Sequence, residues 1–333
     1  MYLYFPAFLY RFFQEEILRL EEAFVNNNYD VLICDTRYIS HKSYLSKENN
    51  FSRTCRFCGK SQPEVSFNKE AHVIPHMLGN QYLLSKYECD ECNQYFSILE
   101  NQLGNYTLFI RSILQQKGKK GYPKFKRNAF KVETVLMEGK ERIKISDAVE
   151  SNKIEEQDTS NHITISGERD SYIPIAVYKC LIKIAITLMP EEKVKYFSKS
   201  IKWILEKDHL KGNPEEKLYL FESIISPHYY SSPKVVLYLR KRNAMNNVPY
   251  AMCTLYFGYF MYQFYIPMCE KDTAGNATFR FIKGIEGMNK TVTTTDLSDA
   301  ELKKGEKFPL EFIYEKKEVY SEEEIKDLQK LFV

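Results

Sequence analysis

Two short cysteine loops constrain this chain more than any other feature: Cys55-x-x-Cys58 and, after thirty intervening residues, Cys89-x-x-Cys92. Each loop presents two thiolates to one point, and two such loops close a tetrahedral site whose expected occupant is zinc. Four thiolates leave no open position on the ion, so this zinc is expected to hold the fold and to do no chemistry. Eight cysteines in 333 residues are too sparse for a disulfide framework, and with 44% apolar residues the chain can bury a core without one. A reducing, cytoplasmic setting is the corresponding expectation. Lys and Arg number 47 against 44 Asp and Glu. A net charge of +3 creates no whole-molecule field, so any surface for a polyanion must be local.

Chemistry then has to lie between the cysteine pairs. There the chain reads Glu70-Ala71-His72-Val73-Ile74-Pro75-His76-Met77-Leu78-Gly79-Asn80, and the second pair continues directly into Asn93. A C-x-x-C pair, a strand ending in His-hydrophobic-Ile-Pro, a Gly-Asn turn and a Cys-Asp-Glu-Cys-Asn run entering a helix resemble the zinc-containing branch of the HNH (ββα-metal) endonucleases. The resemblance covers about Cys55 to Leu103, within a module running from about Phe51 to Leu114. It implies that His72 is the general base for the water attacking a phosphodiester. Asn80 would orient that base, and Asn93 would offer its side-chain carbonyl to a catalytic Mg²⁺ or Mn²⁺. The near-neutral pKa of a histidine suits the task.

One position departs from the family pattern. Many members carry Asp, Glu or His before the base as a metal ligand, whereas this chain has Ala71. Glu70 is one residue too early and should face the other side of a strand, while His76 lies just past the proline and can swing back as the additional ligand. A catalytically inactive zinc-ribbon module that only binds nucleic acid is the alternative reading. Past the cysteines, Phe96, Leu99 and Leu103 recur at helical spacing. Arg111, Lys117, Lys119, Lys120, Lys124, Lys126 and Arg127 then form the densest basic stretch, read as nucleic-acid contacts, with Tyr122 and Phe125 available to stack on bases. DNA is the expected substrate, with RNA left open.

The expected fold class is α+β: a small ββα-metal module stapled by zinc, plus a larger C-terminal α+β domain. The divisions fall at 1–50 (an amphipathic helix over Phe8 to Asn26 and a strand at Tyr29 to Cys34), 51–130 (the module with its basic tail) and 131–333. Patterning places strands at Phe130 to Leu136, Arg142 to Ser146, His162 to Ser166, Lys234 to Leu239, Ala251 to Ile266 and Thr278 to Ile282. Asp147 to Asn161 reads as a loop. Helices are expected from Ile173, from about Glu191 to Lys207, and at Ser321 to Leu331. The uncharged run Ala251 to Cys269 has nearly the length of a membrane span, but its tyrosines, Gln263 and Pro267 favour a strand in a two-sided core. No membrane association and no signal peptide are expected. The second half carries no other catalytic constellation. Its layout resembles anti-phage and mobile-element nucleases in which a second domain senses a signal, so regulation through it, by homo-oligomerisation or by a partner or ligand on the aromatic strand, is the expectation.

Overall fold

The computed structural model describes residues 21–45, 53–128, 130–137, 139–146, 154–157, 162–225, 228–245, 247–272, 279, 281–282 and 292–313. Most of the expected N-terminal helix and all of the expected closing helix Ser321 to Leu331 lie outside these residues.

In chain order, a helix over 21–28 (α1) leads into β1 (Tyr29–Asp35), followed by β2 (Ser43–Leu45), β3 (Ala71–His72) and β4 (Leu83–Ser85). Helix α2 (Asp90–Ile113) comes next, then β5 (Phe125–Arg127), β6 (Phe130–Met137), β7 (Lys140–Ser146), β8 (Ile154–Gln157) and β9 (His162–Glu168). Helices α3 (Pro174–Leu188), α4 (Glu191–Val194) and α5 (Ser198–Leu205) precede β10 (Tyr219–Ile224), β11 (Tyr230–Arg240), β12 (Ala251–Gly258), β13 (Phe260–Tyr265), β14 (Val292–Asp296) and β15 (Lys307–Ile313).

The frame is an antiparallel six-stranded sheet in the order β1-β11-β12-β13-β10-β14. Side chains on its strands alternate between two cores, as period-2 geometry requires. Val235, Leu237, Leu255, Phe257 and Tyr262 share one core with α2, α3 and the cysteine module, while Val236, Tyr238, Met252, Tyr256 and Tyr265 pack with Val25 of α1 on the other face. Three smaller sheets, β15-β9-β8, β5-β6-β7 and β2-β4-β3, complete the layers. The boundaries read at 50 and 130 do not separate the pairing: β1 joins the C-terminal sheet, and β2 joins the sheet of the cysteine module.

Several local readings are corrected. The uncharged run is two strands rather than one, turning at Gly258, whose φ of +54° suits glycine and where a Cβ would meet Leu114 Cδ1 at 2.5 Å. Both strands are interior and buried throughout, so the run supplies no exposed surface for a partner or a second copy. The polar segment before β9 contains β8, paired to β9. The helix expected over Glu191 to Lys207 is broken into α4, a 3-10 turn at Lys195–Phe197 and α5. No described helix is long and apolar enough to cross a membrane.

Helix α3 is the central beam. Pro174 opens it at a position where the missing N–H costs nothing, and every residue from Pro174 to Thr187 is buried, as expected for a helix apolar nearly all round. Helix α2 lies against it, with Phe96, Leu99, Leu103, Tyr106, Ile110 and Ile113 in the shared core, and from Leu103 onward nearly its whole circumference is buried.

Candidate active site

The four cysteines converge. The ligand atoms of Cys55, Cys58, Cys89 and Cys92 lie within 4.8 Å of one another, with Cys58 Sγ and Cys89 Sγ 3.8 Å apart. Gly59 closes the first loop with φ +73°, donating its N–H to Cys55 O at 2.9 Å. Four thiols this close cannot ionise together without a cation. A hydrogen bond from Cys92, with backbone N–H groups, holds Cys55 down to about 5; burial pushes Cys89 up to about 11; and Cys92 is raised by its bond to Cys55 and by burial. A divalent ion removes that conflict, so the donor set fits zinc. It is the one group of three or more His, Cys, Asp and Glu side chains placed for a metal among the described residues.

Between the cysteine loops, β3 pairs antiparallel with β4, and the connection passes through a 3-10 turn, His76–Leu78. Gly79 ends that turn at φ +101°, and a Cβ there would sit 2.5 Å from Ser231 O, so only glycine lets the turn lie against β11. Asn80 is fully buried and braces the connection: its Nδ2 donates to Ile74 O and Leu83 O, both at 2.8 Å, and its Oδ1 accepts from Leu83 N at 2.9 Å.

His72 is half-buried, its ring edge-on to that of His76 with centroids 5.4 Å apart. Burial, followed by the nearby His76 and Lys183, lowers its pKa to about 4, so the ring is neutral at neutral pH and able to accept a proton. His76 is also lowered, by burial first, and its Nδ1 is buried without a hydrogen-bond partner from another residue. Lys119 is close enough for its charge to depress both rings. Asn93 stands in the first turn of α2, its Nδ2 3.5 Å from Glu70 O, which brings the helix start alongside β3. The Glu70 carboxylate pairs with Lys42 and is still close enough to His72 for the two charges to interact.

Two residues that the sequence reading passed over hold this arrangement. Lys183 of α3 donates from Nζ to the main-chain O of His72 at 2.9 Å and pairs with Glu88 at 3.1 Å and Glu100 at 3.7 Å. Arg56, inside the first cysteine loop, donates from Nη1 to Ile186 O, Thr187 O and Met189 O at 2.9, 2.8 and 2.8 Å, and its guanidinium stacks 3.8 Å over Tyr87. The available signal was Lys179 and Lys183, one turn apart in an otherwise apolar helix.

The basic stretch divides. Arg111 is buried in α2, bonded to Thr107 Oγ1 at 3.0 Å and Gly104 O at 2.9 Å, and is removed from the nucleic-acid contacts. Phe125 is also removed, since it is buried against Phe109 and Phe130. Arg127 is engaged with Asp170 at 2.8 Å, and Lys124 lies 3.4 Å from Glu133. Lys117, Lys119, Lys120, Lys124 and Lys126 are exposed, and Gly118 packs on Met77 beside the His76 turn.

Fold and site together define a ββα module closed by a four-cysteine metal site. Residues 55–106 match the family model HNH_5, HNH endonuclease. That match runs from Cys55 into α2, so this segment is similar to the HNH endonucleases, its four cysteines are placed to hold zinc, and it is joined to a larger β-rich C-terminal region. No curated protein matches the chain, and no solved structure does.

Proposed function

We propose that this protein is a metal-dependent endonuclease that hydrolyses phosphodiester bonds in DNA, with His72 as the general base. The observation that carries the reading is a neutral, half-buried His72 on β3, set between the two halves of the cysteine site inside the matched HNH segment. A ring nitrogen of His72 takes the proton from the attacking water, and Asn80 keeps the strand and turn in register, so that the ring stays aimed. Asn93 and His76 would hold a divalent cation, and the orphaned, buried Nδ1 of His76 fits a ligand role. Such an ion, Mg²⁺ or Mn²⁺, supplies positive charge to the phosphorane and the departing 3′ oxygen. The exposed lysines 117, 119, 120, 124 and 126 supply sequence-independent phosphate affinity beside the site. Control of cutting through the larger half and a role in phage defence belong to the same reading, with layout as their support.

Ala71 in the usual ligand position favours a second reading, a zinc-ribbon module that binds nucleic acid without cutting it. One assay separates the two. Purified protein is incubated with Mg²⁺, Mn²⁺ or other divalent ions and with plasmid DNA, single-stranded DNA or RNA. Cutting of DNA that requires a divalent ion and is lost in Asn93→Ala supports the nuclease. Absence of turnover on every substrate, with salt-sensitive binding retained, replaces it with the binding module.

A further inference from the structure

We propose that Lys183, on α3 of the larger half, is a positioning residue for the His72 general base; the inference rests on the nuclease reading of His72. Strand β3 is only two residues long, pairing Ala71 with Ser85 and His72 with Leu84. A ladder this short fixes little backbone, yet a general base must be held within a fraction of an ångström of its productive place. Lys183 supplies the missing restraint. Its ammonium has three N–H donors, and it faces the His72 carbonyl at 2.9 Å, Glu88 at 3.1 Å and Glu100 at 3.7 Å. These belong to β3, to the connection from β4 into α2, and to α2 itself. One cation from outside the HNH segment thus ties together all three parts of the ββα unit.

The fold alone does not require a charge here. The side chains of Lys183 and Glu88 are 1% and 0% exposed, and a buried ion pair of this kind is replaced by neutral or apolar residues of similar volume with little or no loss of stability. A methionine would sit comfortably in a helix buried from Pro174 to Thr187. What methionine cannot do is donate to the His72 carbonyl. The same helix is anchored to the zinc loop one turn further on, where Arg56 binds Ile186 O, Thr187 O and Met189 O, so α3 sets the height of Lys183 relative to the cysteine site. The larger half, on this account, completes the active site.

The test compares Glu88→Gln, which keeps Lys183 and its bond to His72, with Lys183→Met/Glu88→Gln, which removes that bond without leaving a buried charge. Full-length protein loaded with zinc is assayed for plasmid cutting with Mg²⁺ or Mn²⁺, with Tm and zinc content measured in parallel. Glu88→Gln leaves the ammonium buried beside Glu100 alone, so it is expected to lower Tm but to retain more kcat than the double variant. The double variant is expected to lose about 100-fold in kcat with KM, Tm and zinc content held, the size of effect that a misplacement of about 1 Å produces. Should the double variant fail to fold, Lys183→Met/Glu88→Leu is read in the same way. A folded double variant with wild-type kcat, beside an inactive His72→Ala, overturns the role of Lys183 alone. Wild-type cutting by His72→Ala overturns the nuclease reading of His72 and this inference with it.

Discussion

Replacing Arg56 by methionine should loosen the whole protein, although Arg56 sits in a loop between two zinc ligands. Methionine keeps most of the apolar stem and removes the guanidinium, with its hydrogen bonds and its stack on Tyr87. Those hydrogen bonds close the C-terminal end of α3, where the last carbonyls of a helix have no partner within the helix. Nη1 serves three carbonyls with two hydrogens, and its side chain is 3% exposed, so water does not substitute for it. Two hydrogen bonds from a charged donor at about 1.5–3 kcal/mol each set a range of about 3–6 kcal/mol. The pair with Glu191, which is 49% exposed, adds little. Taking the lower end, about 3 kcal/mol, and about 2 °C per kcal/mol for a chain of this size, Tm should fall by roughly 6 °C. Thermal unfolding of the zinc-loaded protein, followed by far-ultraviolet circular dichroism, is the assay. A fall of less than about 1 °C would refute the argument that the cysteine loop and α3 are one structural unit.

Elemental analysis should find one zinc per chain, and Cys58→Ser or Cys92→Ser should lower folded yield rather than activity alone; a metal-free wild type that is fully folded contradicts this. Neutralising Lys119, Lys120 and Lys124 together should weaken DNA binding and reduce the salt slope by about 2 to 3, the lower figure if the pair with Glu133 keeps Lys124 from phosphate. An unchanged slope removes the stretch from the interface. The acid limb of kcat/KM should lie near pH 4 instead of near 6.5, because His72 titrates at about 4 in the fold. By the same linkage the unfolded chain takes up a proton at His72 first as pH falls below 6.5, so the contribution of this residue to stability is full above 6.5 and declines toward pH 4. An acid limb at 6.5 would show that His72 is not held as described.

The module was legible because its signals are local. Two C-x-x-C loops, His72 two residues before Ile74-Pro75, the Gly79-Asn80 turn and the apolar stripe of α2 each follow from chemistry within a few residues. Pairing across the chain was not. The partnership of β1 with β11 and of β2 with β4 depends on register between distant segments, which no local pattern carries. The polar residue of the run from Ala251, Gln263, lies inside the second strand and not at the turn, so one glycine at 258 was the only mark of that turn. Charge misled at Arg111, which continues the helical face of Gly104 and Thr107 instead of joining the lysines that follow. Lys183 was hidden for a related reason: a lysine in a helix is normally read as solvated, and its burial becomes intelligible only once Glu88, Glu100 and the His72 carbonyl are brought around it.

Cutting of supercoiled plasmid DNA by His72→Ala, side by side with wild type in Mg²⁺ and in Mn²⁺, tests the central claim most directly. The account predicts a loss of about 10²- to 10⁴-fold in rate, with one zinc per chain and Tm retained. Cutting within tenfold of wild type by the folded, zinc-loaded variant would contradict it.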